Sequence, residues 1–98
     1  MEYTWDENKA KSNFEKHGAR FEEAQVIWTD PLSIEYFDPD NSFREERFIR
    51  IGLNPTRGIL FVVFCEKEKL EVIRIISARK ATNLERKDYE EELQSQRT

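Results

Sequence analysis

Three arginines lie on or beside predicted rigid backbone, and their chemistry suits the binding of an anion. Arg74 interrupts a segment, 72–76, that is otherwise wholly apolar and typical of a strand. Arg79 and Lys80 come just before a predicted helix start, where free backbone N–H groups also favour negative charge. A guanidinium held on a strand presents a planar fork of donors that matches phosphate. Together with Arg47 on a second predicted strand, these residues predict a phosphate clamp.

The alternative is that these arginines are structural. A guanidinium inside an apolar strand needs a partner, and Glu46, Glu66 or another carboxylate could form an ion pair with Arg74. Arginines on strands are also often ordinary solvated surface residues. The residue types alone leave both interpretations open.

His17 is the single histidine of the chain. Imidazole has an unperturbed pKa near ~6.5, which suits proton transfer during phosphodiester cleavage. His17 also ends a predicted helix and shares its apolar face, where a histidine commonly has a structural role or interacts with the helix dipole. It is therefore a candidate acid or base with a structural alternative.

Motifs for cofactors and metal ions are missing from the sequence. The three glycines are scattered along the chain and form no phosphate-binding loop, which argues against a nucleotide cofactor. One Cys and one His cannot build a zinc site of the usual nitrogen and sulfur ligands, and no carboxylate spacing matches a calcium loop. We therefore predict no cofactor and no metal. Cys65, inside an apolar segment, is predicted to be a buried structural residue and not a nucleophile.

The net charge of −4 conceals a division of the chain into blocks of opposite charge. Residues 44–87 carry eleven Lys/Arg against six Asp/Glu, whereas residues 1–43 carry four against ten and residues 88–98 one against four. A basic middle segment can attract a polyanion, although solvated and internally paired charges are the plainer explanation.

Size and composition predict one domain, 1–98, located in the cytoplasm. The chain has 98 residues, which is too short for two hydrophobic cores. Its aromatic residues, 12% of the total, supply enough large apolar side chains for one core. A single cysteine cannot form an internal disulfide, and no basic region precedes an apolar run near the N-terminus. The longest apolar stretch, 59–65, is far shorter than the ~20 residues that cross a bilayer, so we expect no association with a membrane.

Capping signals place His17 at the end of one predicted helix and Arg79-Lys80 just before the start of another. After a short strand at 2–5, Asp6 as N-cap and Gly18 as left-handed terminator predict a helix over 7–17. Apolar residues at helical spacing predict a second short helix that ends at Asp30-Pro31 and forms a hairpin with the first. Thr82 and Glu85 form a capping box for a last helix over 83–93, followed by a frayed tail at 94–98. That helix is expected to turn three residues toward the sheet: Leu84, Tyr89 and Leu93.

Strand signals place the arginines on a sheet. Segments 33–37, 46–53, 59–65 and 70–77 have strand character, the first as an edge strand and the third as a central one. Alternation in the second puts Arg47, Ile49, Ile51 and Leu53 on one face and Phe48 and Arg50 on the other. The result is an α+β domain of order β-α-α-β-β-β-β-α, a small antiparallel sheet whose helices cover one face. The other face is the expected binding surface.

Two long segments resemble a known family, the BrnT toxins of bacteria. One is Trp5-Asp6-Glu7-Asn8-Lys9 continuing to Asn13-Phe14-Glu15-Lys16-His17-Gly18, and the other is Arg74-Ile75-Ile76-Ser77-Ala78-Arg79-Lys80-Ala81 followed by Glu85-Arg86 and Tyr89. Segments 21–24, 30–31 and 46–52 fit as well, so the resemblance covers about residues 3–89.

The resemblance implies a fold similar to RelE-type ribonucleases and metal-independent RNA cleavage that inhibits translation and growth. In such folds the ribose 2′-hydroxyl attacks the adjacent phosphate and leaves a cyclic phosphate. The arginines Arg47, Arg74 and Arg79 would hold the phosphate, and His17 would assist proton transfer or orient the site. The residues expected to bind the RNA backbone are Lys9, Arg57 and Lys80.

The resemblance also implies a BrnA-type antitoxin as partner. Such a protein neutralises the toxin and binds operator DNA, so we expect DNA to be bound only through the complex, with a homodimer inside a heterotetramer as its form. Two other functions stay open from the residues: a non-catalytic binding module or co-repressor, and a small phosphoesterase that applies the same arginine clamp to a nucleotide.

Overall fold

A five-stranded sheet forms the centre of the computed structural model, which describes residues 1–67, 69 and 71–97, with side chains as far as residue 95. Its strands are β1 (Glu2–Thr4), β2 (Ile34–Phe37), β3 (Phe48–Asn54), β4 (Gly58–Lys67) and β5 (Val72–Lys80), in the spatial order β1-β5-β4-β3-β2. The helices are α1 (Glu7–His17), α2 (Phe21–Ala24) and α3 (Asn83–Arg97), with 3-10 turns at Gln25–Thr29 and Pro39–Asn41. The predicted α+β class and element order are confirmed.

Local signals fix α1 at both predicted ends. One carboxylate oxygen of Asp6 accepts hydrogen bonds from the backbone N–H groups of Asn8 and Lys9, at 2.8 and 3.1 Å. Gly18 ends the helix with a φ of 68°, in the left-handed region that a glycine adopts without strain. The predicted second helix is shorter than its apolar spacing indicates, because its second half tightens into a 3-10 turn.

The sheet is mixed, not purely antiparallel as predicted. Strands β2 to β5 form the expected antiparallel meander, but β1 pairs with β5 in parallel, with Tyr3 beside Ile73. A hairpin turn dictates the direction of strands that follow one another closely in sequence, whereas β1 and β5 are far apart. Packing of Tyr3 and Trp5 against the core decides this pairing.

The helices cover both faces of the sheet, so the prediction that they share one face is wrong. One core lies between the sheet and the α1–α2 segment, and includes Phe21, Ile27 and Phe64. Tyr89 of α3 packs instead on Ile49 and Ile51, which face the other way. The face expected to bind a ligand is therefore partly covered by α3.

Leu84 was expected to face the sheet and instead has 76% of its surface exposed. At about 100° per residue, Leu93 lies near Tyr89 on the helix circumference, whereas Leu84 lies well away from it. Helix α3 also continues past the predicted end at residue 93 to Arg97. Two predicted features lie partly outside the described residues: the turn at 67–69 and the strand start at Leu70.

Asp30 fastens α3 to the sheet. Its carboxylate accepts a hydrogen bond from the Tyr89 hydroxyl at 2.6 Å and bonds from the N–H groups of Leu53 and Leu32, each at 2.9 Å. Burial raises the pKa of Asp30, but these three bonds to the ionised form outweigh burial and leave the pKa below its usual value. The sequence indicated Asp30 only as a helix stop.

We expect Tyr89→Phe to lower the free energy of unfolding by about 1.5–3 kcal/mol at neutral pH, because it removes a bond to a charged group. The pKa of Asp30 is lower in the folded protein than in the unfolded chain, where it is near ~3.9. The ionised carboxylate therefore stabilises the fold above that pH, and this stability is lost as the pH falls through the folded-state pKa. The variant should therefore lose less stability than the parent between about pH 5 and pH 2. Urea titrations at several pH values measure both effects, and parallel pH profiles would contradict the role of Asp30.

Asn13 completes the outer edge of β5 where β1 no longer covers it. Its side-chain amide donates to the carbonyl oxygens of Ala78 and Ala19 at 2.8 and 3.1 Å, and its carbonyl oxygen accepts from the Ala78 N–H at 3.1 Å. Asn13 is buried, so water does not compete for these bonds. This single side chain connects α1, the following loop and β5.

We expect Asn13→Ala to destabilise the fold by about 3 kcal/mol, since it leaves buried backbone groups without partners. For a domain of this size the melting temperature should fall by more than about 10 °C. Asn8→Ala is the matched control, because Asn8 lies exposed on the same helix. Equal melting temperatures of the two variants would refute the assignment.

No helix within the described part of the chain is long and apolar enough to cross a membrane.

Candidate functional site

A bulge in β5 brings Arg74 and Arg79 to the same face of the sheet. Five residues apart, they would face opposite ways on a regular strand. Ile76 has no partner in the ladder, since Phe64 pairs with Ile75 and Val63 with Ser77, and the alternation restarts after it. Both guanidinium groups therefore share the α3 face of the sheet.

β5 also extends further than predicted. The predicted strand ends at residue 77, which leaves Arg79 and Lys80 in the connection to α3. In the structure they pair with Phe61 and Leu60 of β4 and belong to the strand. The backbone of Arg79 is therefore held as firmly as that of Arg74.

Glu45 is the carboxylate beside Arg74. It lies 3.8 Å from the Arg74 guanidinium and accepts a hydrogen bond from the Lys67 ammonium at 2.9 Å. The bond from Lys67, more than the charge of Arg74, lowers the pKa of Glu45. The carboxylates predicted by name for this role were Glu46 and Glu66, and Glu45 is the sequence neighbour of Glu46.

Cys65 is buried beneath this cluster, as predicted for a structural residue. Burial raises the pKa of its thiol, and the neighbouring Glu45 carboxylate raises it further, whereas Lys67 and Arg47 act in the opposite direction. A thiol with a raised pKa is a poor nucleophile. Arg47 lies at the same end of the sheet, because it lines a groove together with Glu45, the partner of Arg74.

Arg79 is already engaged with a carboxylate. Its two terminal nitrogens donate to the two oxygens of Glu85 at 2.7 and 2.9 Å, and its guanidinium lies 4.0 Å from the centre of the Phe61 ring. Glu85 also accepts from the N–H of Thr82 at 2.8 Å, which confirms the predicted capping box. At the predicted meeting point of Arg79, Lys80 and a helix N-terminus, Arg79 binds the chain's own Glu85, and no hydrogen bond or ion pair among the described residues joins Lys80 to that carboxylate.

The remaining predicted residues lie elsewhere. His17 and Lys9 are exposed on α1 and line a groove together with Ser77 of β5. Arg57 lies nearby, because it donates to the Gly18 carbonyl at 2.7 Å and pairs with Glu23 at 3.2 Å. No hydrogen bond or ion pair among the described residues joins His17 to Arg47, Arg74 or Arg79. Lys9, His17 and Arg57 therefore lie around the α1 groove, away from the three arginines of the predicted clamp.

Within residues 1–67, 69 and 71–97, no three His, Cys, Asp or Glu side chains come together as ligands for a metal ion.

Comparisons with known proteins agree with this architecture. A family model described as "Ribonuclease toxin, BrnT, of type II toxin-antitoxin system" matches residues 5–85. This span contains all seven predicted site residues. The 1.1 Å crystal structure of the Brucella abortus ribonuclease toxin BrnT is similar, with a TM-score of 0.61 and 26% sequence identity over 85% of this chain and 99% of that one. A search of curated proteins gives no match. The chain therefore belongs to the BrnT family, the ribonuclease toxins of type II toxin–antitoxin systems.

Proposed function

We propose that this protein is a metal-independent endoribonuclease whose reaction takes place on the sheet face that carries Arg74 and Arg79. Arg47, predicted to lie on the strand 46–53, comes just before that strand, which begins at Phe48, and is the third arginine of the proposed site. The observation that supports it most directly is the bulge at Ile76, which turns two strand arginines to one face in a family of ribonuclease toxins. Metal independence rests on the donor set, since one His and one Cys supply few of the ligands that transition metals prefer.

The proposed reaction is attack of a ribose 2′-hydroxyl on the adjacent phosphorus. A bond forms between the 2′-oxygen and phosphorus, the bond to the 5′-oxygen breaks, and the products are a cyclic phosphate and a free 5′-hydroxyl. Negative charge grows on the phosphoryl oxygens in the transition state, where fixed guanidinium groups stabilise it. One proton must leave the 2′-hydroxyl and one must reach the 5′-oxygen.

The two strand arginines pair with Cys65 and Phe61, four residues apart on β4, which puts their Cα atoms about 13 Å apart at about 3.3 Å per residue. We propose that both reach the reacting phosphate of one RNA strand, since their long side chains can lean toward each other along β5. From this face the strand would pass Ser77 at the free edge of β5 and meet Lys9 and His17 in the groove beyond it. Lys9 lies on this path, Arg57 and Lys80 stay proposed contacts to the RNA backbone, and His17 stays the proposed proton-transfer or orienting group.

The proposed partner is a BrnA-type antitoxin that covers the basic surface built from residues 44–87. Cleavage of RNA by the free toxin would inhibit translation and stop growth, and the antitoxin would prevent it. DNA would be bound by the complex and not by this chain, whose net charge of −4 disfavours binding to duplex phosphate.

A second function, a non-catalytic binding module, is favoured by one observation. Arg74 and Arg79 each have a carboxylate partner, Glu45 and Glu85, as structural arginines do. An arginine in a bidentate ion pair must exchange that partner, or share its remaining donors, to hold phosphate.

Purified protein incubated with RNA and an excess of chelator separates the two functions. The nuclease proposal predicts cleavage that the chelator leaves unchanged, with 2′,3′-cyclic phosphate ends, and no cleavage of an RNA carrying a 2′-deoxyribose at the cut position. Folded protein that binds RNA but leaves every strand intact would support the binding module instead.

A further inference from the structure

Phe43 is the most exposed large apolar side chain among the described residues. It lies in the connection between β2 and β3, and 91% of its surface is accessible. Both faces of an exposed aromatic ring are available for stacking with another flat group. Leu84 is also highly exposed, at 76%, but lies on the outer surface of α3.

The loop that carries Phe43 is closed by its own hydrogen bonds. The N–H of Asp38 donates to the Arg47 carbonyl and the N–H of Arg47 to the Ser42 hydroxyl, each at 2.9 Å. That hydroxyl donates to the Asp38 carbonyl at 2.6 Å, and Asn41 donates to the Asp38 carboxylate at 2.9 Å. The ring is therefore presented by a braced loop, and ordering it on binding costs little.

Two cations with no ion-pair partner line the same groove as the ring. Neither Arg44 nor Arg47 forms an ion pair with a described residue, in contrast to Arg74 and Arg79. The Nε atom of Arg47 is shielded from solvent and has no hydrogen-bond partner in the described part of the chain. Phe43, Arg44 and Arg47 line one groove of about 310 Å³.

The groove adjoins the proposed reaction face. Glu45 also lines it and contacts Arg74 and Lys67, which project from β5 and β4. Asp40 is a further lining residue, so the acidic groups at the groove are Asp40 and Glu45. Glu45 is occupied by Lys67 and Arg74, which leaves the positive charge of Arg44 and Arg47 open to an anion.

We propose that Phe43, Arg44 and Arg47 form a nucleotide-binding subsite. One unpaired base stacks on the Phe43 ring, and the phosphate beside it is bound by Arg44 and Arg47. A flat apolar ring that shares a groove with two cations matches a single-stranded nucleic acid, which offers alternating flat bases and phosphates. This subsite rests on the proposed function, since it would hold the nucleotide next to the one whose phosphate is bound at Arg74.

The test compares Phe43→Ala and Phe43→Tyr, with Leu84→Ala as matched control for removal of an exposed apolar side chain. The probe is a short single-stranded RNA made uncleavable by 2′-O-methylation, with affinity measured by fluorescence anisotropy. Phe43→Ala should raise the dissociation constant about 10-fold or more, since stacking on one ring is lost, while the tyrosine variant and the control bind like the parent. Arg44→Ala should reduce the dependence of log Kd on log salt by about one phosphate contact.

With cleavable RNA, Phe43→Ala should raise KM and change kcat little, because the stacked base is not the reacting group. If Phe43→Ala binds and cleaves RNA like the parent, the subsite is wrong and the nuclease proposal is unaffected. If it cleaves normally but no longer binds the antitoxin, the surface serves a protein and the subsite is wrong as well. A parent that binds the probe through Phe43 but cuts no RNA would support the subsite and overturn the nuclease proposal.

Discussion

Arg74→Ala is expected to lower the rate of RNA cleavage about 100-fold or more with little loss of stability. Removing one positioned charge donor typically costs about 3 kcal/mol of transition-state stabilisation. The Arg74 guanidinium has only a long, half-exposed ion pair with Glu45 at 3.8 Å, and such pairs contribute at most about 1 kcal/mol to folding. Single-turnover cleavage and thermal melting of the same preparation measure the two effects.

Arg79→Ala should lose as much activity but also some stability. The bidentate bonds to Glu85 help to fix the start of α3, and their loss should cost about 1–3 kcal/mol. Lysine at either position should recover little cleavage, because an ammonium lacks the two-pronged geometry of the guanidinium. Arg79→Lys should recover part of the stability, since one charged contact to Glu85 is restored.

Arg50→Ala is the matched control for both variants. Arg50 is also a strand arginine with a carboxylate partner, Glu35, but it faces the opposite side of the sheet and stacks on Trp28. Its loss should lower stability and leave the cleavage rate of the folded fraction unchanged. If Arg74→Ala and Arg79→Ala cleave like the parent once corrected for folding, both arginines are structural and the clamp is wrong.

Expression of this chain without a partner is expected to arrest growth, and co-expression of its antitoxin to restore it. The reason is the proposed RNA cleavage in a family of ribonuclease toxins. Growth curves and incorporation of labelled amino acids into protein measure the arrest. Because the antitoxin is expected to cover the basic surface of residues 44–87, charge reversals there should weaken the complex.

The control for this experiment is the Arg74→Ala chain, expressed to the same soluble level. This variant should allow growth, since it is expected to keep the fold and to lose most RNA cleavage. Unchanged growth with the soluble parental chain would favour the binding module. Equal arrest by parent and variant would show that toxicity does not depend on the arginine face.

Local patterns alone were enough to predict the ends of α1, since a cap such as Asp6 or Gly18 acts on backbone groups within a few residues. The same holds for the capping box of Thr82 and Glu85, and for the alternation that turns Ile49 and Ile51 away from Arg50. The family resemblance over residues 3–89 was likewise visible in the sequence, because it depends on residue identity.

The features that decide the candidate site depend on contacts between distant parts of the chain. The predicted strand ends at residue 77, before Arg79, and only the pairing of β5 with β4 shows that Arg79 belongs to the strand and that the unpaired Ile76 brings both arginines to one face. The partner of Arg74 is Glu45, which is far from it in sequence and reaches it through the fold. The covering of the arginine face by α3 depends on the bond between Tyr89 and Asp30, which are 59 residues apart.

The sequence by itself determined the residue types of the site, the element order and the family, because each follows from identity and short-range spacing. Tertiary structure alone decided which arginines share a face, which carboxylates pair with them and how far His17 lies from them. The physical reason is that a strand bulge, a parallel edge strand and the side on which a helix packs all depend on how distant segments fill a common core.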